Sequence, residues 1–132
     1  MVKTTIKPYK EVQYRIYAYT LPEVPSHEGY VKIGQTTRDA KTRVFEQVGT
    51  VGLKPKILFE KLARKADGTW FRDKQLHRYI MSKGFKKKDF NGKADEWFYF
   101  NGYLEKAEEI TDEFIQQGYD KAQIKEDEQR SD

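Results

Sequence analysis

Cysteine is absent from this 132-residue chain, which excludes disulfides, thiolate nucleophiles and cysteine-ligated zinc sites. Histidine is scarce, with His27 and His77 the two examples, so a metal site would have to lean on carboxylates. Long apolar runs are missing as well. Nothing approaches the roughly 18 residues of a membrane span, and the opening MVKTTIKPYKEVQ lacks the apolar centre of a signal peptide. These absences predict a cytoplasmic protein without membrane attachment.

What is present is charge and aromatic bulk. Charged residues make up 35% of the chain, but nine Tyr, eight Phe and two Trp supply enough large side chains for a packed core. At 15.7 kDa one compact domain is expected. Its predicted limits are 13–118, with an N-terminal arm over 1–12. The polar stretch 119–132 reads as a charged tail or a linker to a further domain. The net charge of +4 conceals a split: residues 1–93 carry 21 Lys and Arg against 9 Asp and Glu, and residues 94–132 carry 4 against 12. The basic part is where a polyanion such as DNA would sit.

QYRIYAYT, Gln13 to Thr20, alternates Tyr14, Ile16 and Ala18 with Arg15, Tyr17 and Tyr19, which predicts a first strand with an apolar face and a tyrosine face. A proline-containing loop follows. Tyr30, Lys32 and Gly34 then alternate with Val31 and Ile33 in a second strand, antiparallel to the first, and Gly34 reads as the turn out of it. A helix capped by Thr37 or Asp39 buries Ala40, Val44 and Val48 and carries Arg43 and Gln47 on its flank. Beyond Gly49 and Gly52, KPKILFEKLA predicts a third strand whose Ile57, Leu58 and Phe59 suit burial from both sides. The spacing of Trp70, Leu76, Ile80 and Met81 predicts a helix over 70–82. KGFKKKDFNGKAD then reads as a basic, turn-rich loop, EWFYF as a short apolar segment, and Asn101 as the cap of a last helix reaching about Gly118.

Asp73 and His77 stand at i, i+4 within the apolar side of the second predicted helix. Burying a carboxylate there is costly unless it is paired or binds a metal, so the pair is either a metal-ligating group or a structural Asp–His bond, unless the helix is rotated toward solvent. Tyr17, Tyr19, Tyr30 and Lys32 share strand faces that could meet Arg43, offering hydroxyls for a water and cations for a phosphate; they are equally ordinary strand residues. Glu96 reads as a second site carboxylate, a partner of the basic loop, or a plain strand end. His27 is expected to be exposed, and Lys86, Lys87 and Lys88 to be solvated.

Taken in order, Arg15-Ile16-Tyr17, Lys32-Ile33-Gly34 and Arg43 nine residues after the glycine resemble the GIY-YIG endonuclease superfamily, and within it the subgroup whose second motif reads KIG. DKQLH, Asp73 to His77, and EWF, Glu96 to Phe98, fall where that subgroup has an acidic residue four places before its Leu-His histidine and a Glu-Trp-Phe segment. The set is also similar to the N-terminal module of some helicase-type proteins of restriction or DNA-processing systems. It departs from the superfamily pattern at Arg15 for glycine, Lys32 for tyrosine and Asp73 for glutamate; the lysine is usual in the subgroup.

The resemblance implies an α+β fold, a small antiparallel three-stranded sheet flanked by helices, that hydrolyses DNA phosphodiesters with a single Mg²⁺ or Mn²⁺. Asp73 would hold the metal, with Glu96 as a second carboxylate. Arg43 would grip the scissile phosphate, Lys32 add charge, Tyr17 orient or deprotonate the water, Tyr30 replace the missing second tyrosine and His77 relay a proton. Arg38, Lys41 and Lys86 to Lys88 would extend the DNA contact. A helicase or ATPase domain in the same chain is the implied partner. The alternative is a catalytically inactive DNA-binding module of the same fold.

Overall fold

The computed structural model describes residues 13–48, 52–90 and 96–118, so the arm 1–12, Gly49 and the tail 119–132 lie outside the described residues. The first strand, β1, spans Arg15–Thr20 and is buried over all but its first residue. It pairs antiparallel with β2, Tyr30–Thr36, placing Tyr17 opposite Gly34 and Tyr19 opposite Lys32. On its other side it pairs with β3, Lys56–Leu62, with an irregularity between Ala18 and Tyr19. Two further strands, β4 (Lys87–Asp89) and β5 (Glu96–Tyr99), complete a five-stranded antiparallel sheet of order β3-β1-β2-β5-β4.

Five strands therefore replace the three expected. Lys87, Lys88 and Asp89 are all exposed and show no apolar alternation, so side-chain pattern cannot announce β4. Backbone pairing of Lys87 with Phe98 and Asp89 with Glu96 makes it a strand. The third strand is also not buried on both sides. It lies at the sheet edge, where Phe59 is buried but Ile57 remains 38% exposed, and its Lys56, Glu60 and Lys61 discourage further strand addition.

Three α-helices are described. In α1, Ala40–Val48, the predicted stripe of Ala40, Val44 and Val48 is buried, and Asp39 caps the first turn by accepting from the Thr42 N–H at 2.8 Å. The second helix, α2, spans Asp73–Ser82 rather than starting at Trp70. Trp70 is taken by a bridge to Arg64, and the Phe71 N–H donates to the Ala63 carbonyl, so the chain stays extended until the Gln75 side chain accepts the Arg72 N–H and opens the helix. The third helix, α3, spans Glu105–Gln116. Asn101 does not cap it; at φ 50° it sits in the left-handed region and accepts from the Tyr99 hydroxyl. No helix among the described residues is long and apolar enough to cross a membrane.

The alternation of β1 builds two cores. Ile16 and Ala18 join Val31, Ile33 and Phe98 beneath α2 and α3, with Leu76, Ile80 and Phe114. Tyr17 and Tyr19 meet Ala40, Val44, Val48 and Trp97 beneath α1, so the tyrosine face is a second core rather than a solvent face. His27 is likewise not free: it is half-buried and stacks on Phe90 at 3.8 Å between ring centroids.

Lys65 is 2% exposed, and its ammonium donates to the carbonyls of Phe114, at 2.8 Å, and Gln117, at 3.2 Å. These are acceptors at the C-terminal end of α3, where a cation also meets the negative end of the helix dipole. The Lys65→Met variant keeps the stem and removes the charge, so the Phe114 carbonyl keeps only the Gln117 N–H at 3.3 Å and the Gln117 carbonyl loses its lysine donor. It should lower unfolding free energy by about 2 kcal/mol in a chemical denaturation titration; an unchanged midpoint would contradict this account of how α3 is anchored.

Candidate active site

The site grows from a close approach in the middle of the sheet. A Cβ on Gly34 would lie 2.5 Å from the Tyr17 hydroxyl and 2.7 Å from its Cζ, so the absent side chain is the space in which the Tyr17 phenol lies. Gly34 is thus not the turn predicted from the sequence. It is an interior strand position with no positive φ, and the chain leaves the strand only after Thr36. Tyr17 is 1% exposed, and its hydroxyl accepts from Gln47 Nε2 at 3.1 Å, while Gln47 Oε1 accepts from Tyr19 at 3.0 Å. Burial pushes the Tyr17 phenol up; the Gln47 bond and the neighbouring Arg43 guanidinium offset part of this, and Asp73 pushes it further up. Tyr17 is therefore a neutral phenol at physiological pH, and it lies behind the walls of the two concavities lined by Arg43 rather than lining them.

On the opposite face α2 and β5 bring three ligand-capable groups together. Atoms of Asp73, His77 and Glu96 lie within 4.8 Å of one another. The backbone N–H of Asp73 donates to Gln35 Oε1 at 2.7 Å, which ties the start of α2 to the end of β2. His77 is 2% exposed; its Nε2 lies 2.8 Å from the Ile33 carbonyl and its Nδ1 lies 2.6 Å from Glu96 Oε2. The second contact pairs the buried imidazole with the Glu96 carboxylate, although its angle is poor for a hydrogen bond. Burial pushes the Glu96 carboxyl up, but the imidazole and the Lys87 ammonium, 3.4 Å away, outweigh it and hold the group below the ordinary carboxylate range. An oxygen, nitrogen and oxygen donor set gathered this closely fits a divalent cation.

Asp73 joins this group to the cations. It lines a concavity of about 370 Å³ with Arg38, Arg43 and Arg72. Arg43 also lines a second concavity of about 550 Å³ with Lys32, Gln47 and His27. Lys32 is 8% exposed, so it offers charge from within a wall rather than from the surface. Tyr30 is not brought here. Four residues before Gly34 on an extended strand, about 13 Å away, it packs on Phe90 and Tyr99 with Lys88 over its ring, and it lines neither concavity. Lys41 is exposed on α1, whereas Lys86 to Lys88 are exposed at the β4 edge, with Lys87 drawn to Glu96.

Sequence reasoning missed Glu46. Its carboxylate accepts from both terminal nitrogens of Arg38, one at 2.7 Å, and lies 3.7 Å from Arg43, so it occupies the forks that would grip a phosphate. The Arg38 bonds, with the Arg43 charge behind them, hold it below the ordinary carboxylate range. Its spacing of three from Arg43 on a helix was the available signal. The Ile33 carbonyl and the Gln47 amide, which orient His77 and Tyr17, had none: a backbone atom carries no sequence signature, and glutamine fits any flank.

The family model for the T5orf172 domain matches residues 15–116, which run from the first residue of β1 to the last of α3. No curated protein and no solved structure matches the chain.

The charges placed around Tyr17 make its titration a direct measure of the geometry. With the phenol raised above its unfolded value, the stability it contributes is present below about pH 10 and is lost as pH rises through the folded value. Asp73→Asn should lower the Tyr17 titration and Arg43→Gln should raise it, read by NMR of ring-labelled tyrosine. A titration indifferent to both changes would mean that the three groups do not share a site.

Proposed function

We infer the function of this chain from two premises: it belongs to the T5orf172 domain family, a GIY-YIG-related group of nuclease-like domains, and its Asp73 faces Arg43 across one concavity while grouping with His77 and Glu96. The reading they support is a metal-assisted DNA endonuclease domain that hydrolyses a phosphodiester with water. The placement of Asp73 carries it. It brings one carboxylate both to the arginines of the concavity and to the His77–Glu96 pair.

In this reading Arg43 holds the scissile phosphate through its planar fork, and Lys32 adds a fixed positive charge from the adjoining wall. The Tyr17 phenol, set by Gln47, orients the attacking water. Asp73, with His77 and Glu96, would hold the cation, whose chemistry is to polarise a phosphoryl oxygen and stabilise the leaving oxygen. His77, its ring anchored at Ile33, positions that group. Arg38 and Lys41 extend the phosphate contact along α1, and Lys86 to Lys88 do so from the far sheet edge. An ATP-driven motor joined to the domain is the partner that the helicase-type resemblance suggests.

Plasmid DNA with Mg²⁺ or Mn²⁺ tests the activity. The wild type should nick it, and Arg43→Ala or Asp73→Ala should each cut the rate by about 100-fold or more. No nicking above these variants would sink the catalytic reading. Glu46 gives a second test, because a phosphate must displace it from Arg38 and Arg43. Glu46→Gln should tighten DNA binding by about threefold to tenfold at low salt, with the gain shrinking as salt rises; equal or weaker binding would remove the arginines from the DNA contact.

A further inference from the structure

We propose that the second concavity is a nucleobase pocket, which takes one unpaired base of the DNA strand beside the phosphate held by Arg43. The pocket rests on the proposed endonuclease function and adds its substrate class, a strand that can present a base outside the helical stack.

Strand register sets the floor of the pocket. Tyr19 on β1 stands opposite Lys32 on β2, and Lys32 stands opposite Trp97 on β5, so three side chains form a row across one face of the sheet. All three are buried, and all three line the concavity. Val24, Leu53 and His27, each half-buried, complete its walls, and the His27 ring stacks on Phe90 and meets Trp97 edge-on at 4.7 Å.

Contrast with the first concavity identifies the occupant. The first is walled largely by charged, hydroxyl and amide side chains, Asp73 among them, which suits a phosphate and a cation. The second has apolar and aromatic walls, two cations in Lys32 and Arg43, and no carboxylate among its described lining residues. A bare phosphate gains nothing from apolar walls. A nucleotide uses both kinds of surface, because its base offers flat faces to rings and, at its edge, carbonyl and ring-nitrogen acceptors to an ammonium. Gln47 adds a polar contact of fixed direction. Its amide is held by Tyr17 and Tyr19, and those bonds use one of its two N–H groups and one of its two acceptor positions. The volume of about 550 Å³ is in the range of small-ligand sites. Arg43 lines both concavities, which puts the base and the gripped phosphate at neighbouring positions of one strand. A base stacked within a duplex cannot enter, so it has to be unpaired or turned out.

The test uses the purified 132-residue chain with chelator present, so that binding is read apart from cleavage. Three duplexes of one sequence are compared by fluorescence anisotropy at low salt: fully paired, with a single bulged adenine, and with an abasic residue at the bulge, which keeps the sugar, the phosphate and the flexibility but removes the base. The bulged base should bind about tenfold more tightly than either of the others. Val24→Trp, which fills the pocket, should bring that affinity down to the paired value while leaving the paired duplex bound as before, which also reports that the variant is folded. Equal affinity for the base and the abasic residue, or a preference that survives Val24→Trp, overturns the pocket and leaves the nuclease reading to the plasmid assay. No affinity for any of the three duplexes overturns the pocket and the endonuclease function together.

Discussion

The hydrogen bond from His77 to the Ile33 carbonyl is the constraint on which the site depends. It crosses from α2 to β2 inside the larger core, where an unpaired imidazole N–H would cost about 1–3 kcal/mol. Once the ring is fixed there, its other nitrogen faces Glu96 on β5, and Asp73, one helical turn earlier, falls at the end of β2. Gln35 closes the same junction from the strand side. Three elements distant in the chain are therefore held together by bonds that a substrate does not have to form.

Electrostatics divides the molecule in a way the raw charge split conceals. The acidic α3 folds against part of the basic half: Lys61 meets Glu108 and Asp112, and Lys83 meets Glu113, which also accepts from Tyr79. Such exposed pairs contribute little stability individually. Their effect is to use up positive charge on the face of α2 and α3. On the side of α1, Arg38, Arg43 and Arg72 gather around a single concavity with Asp73, and Glu46 is the counter-ion of the first two. The charge balance of residues 1–93 therefore overstates what a polyanion would meet, and the location of those three arginines matters more.

Much of this was readable in advance, for physical reasons that differ by element. The α1 stripe and the alternation of β1 were visible because each repeats a period over several residues. His77 was visible because a titratable group within an apolar helix face is anomalous; Asp73 was flagged for the same reason but is the half-buried first residue of α2. The edge position of β3 was not, since Ile57, Leu58 and Phe59 read alike in a central strand and at an edge that covers one core. Nor was the start of α2, where the bridge between Arg64 and Trp70 overrides a helical spacing. Tyr30 shares a strand face with Lys32, and a shared face says nothing of distance along the strand; at about 13 Å from Gly34 it sits at the far end of the aromatic cluster that holds Tyr17.

The contact between Tyr17 and Gly34 has a consequence for how such a chain can vary. The phenol occupies the volume that any side chain at position 34 would need, and the two residues face each other across neighbouring strands. Neither position is free to drift alone: enlarging the glycine requires a smaller ring to be in place first, and shrinking the ring opens a void that the glycine cannot fill. Substitutions at the two sites are thus expected to be epistatic, with viable sequences connected only through paired changes. Residues 17 and 34 would then covary for reasons of packing, even in descendants where the hydroxyl no longer has a water to orient.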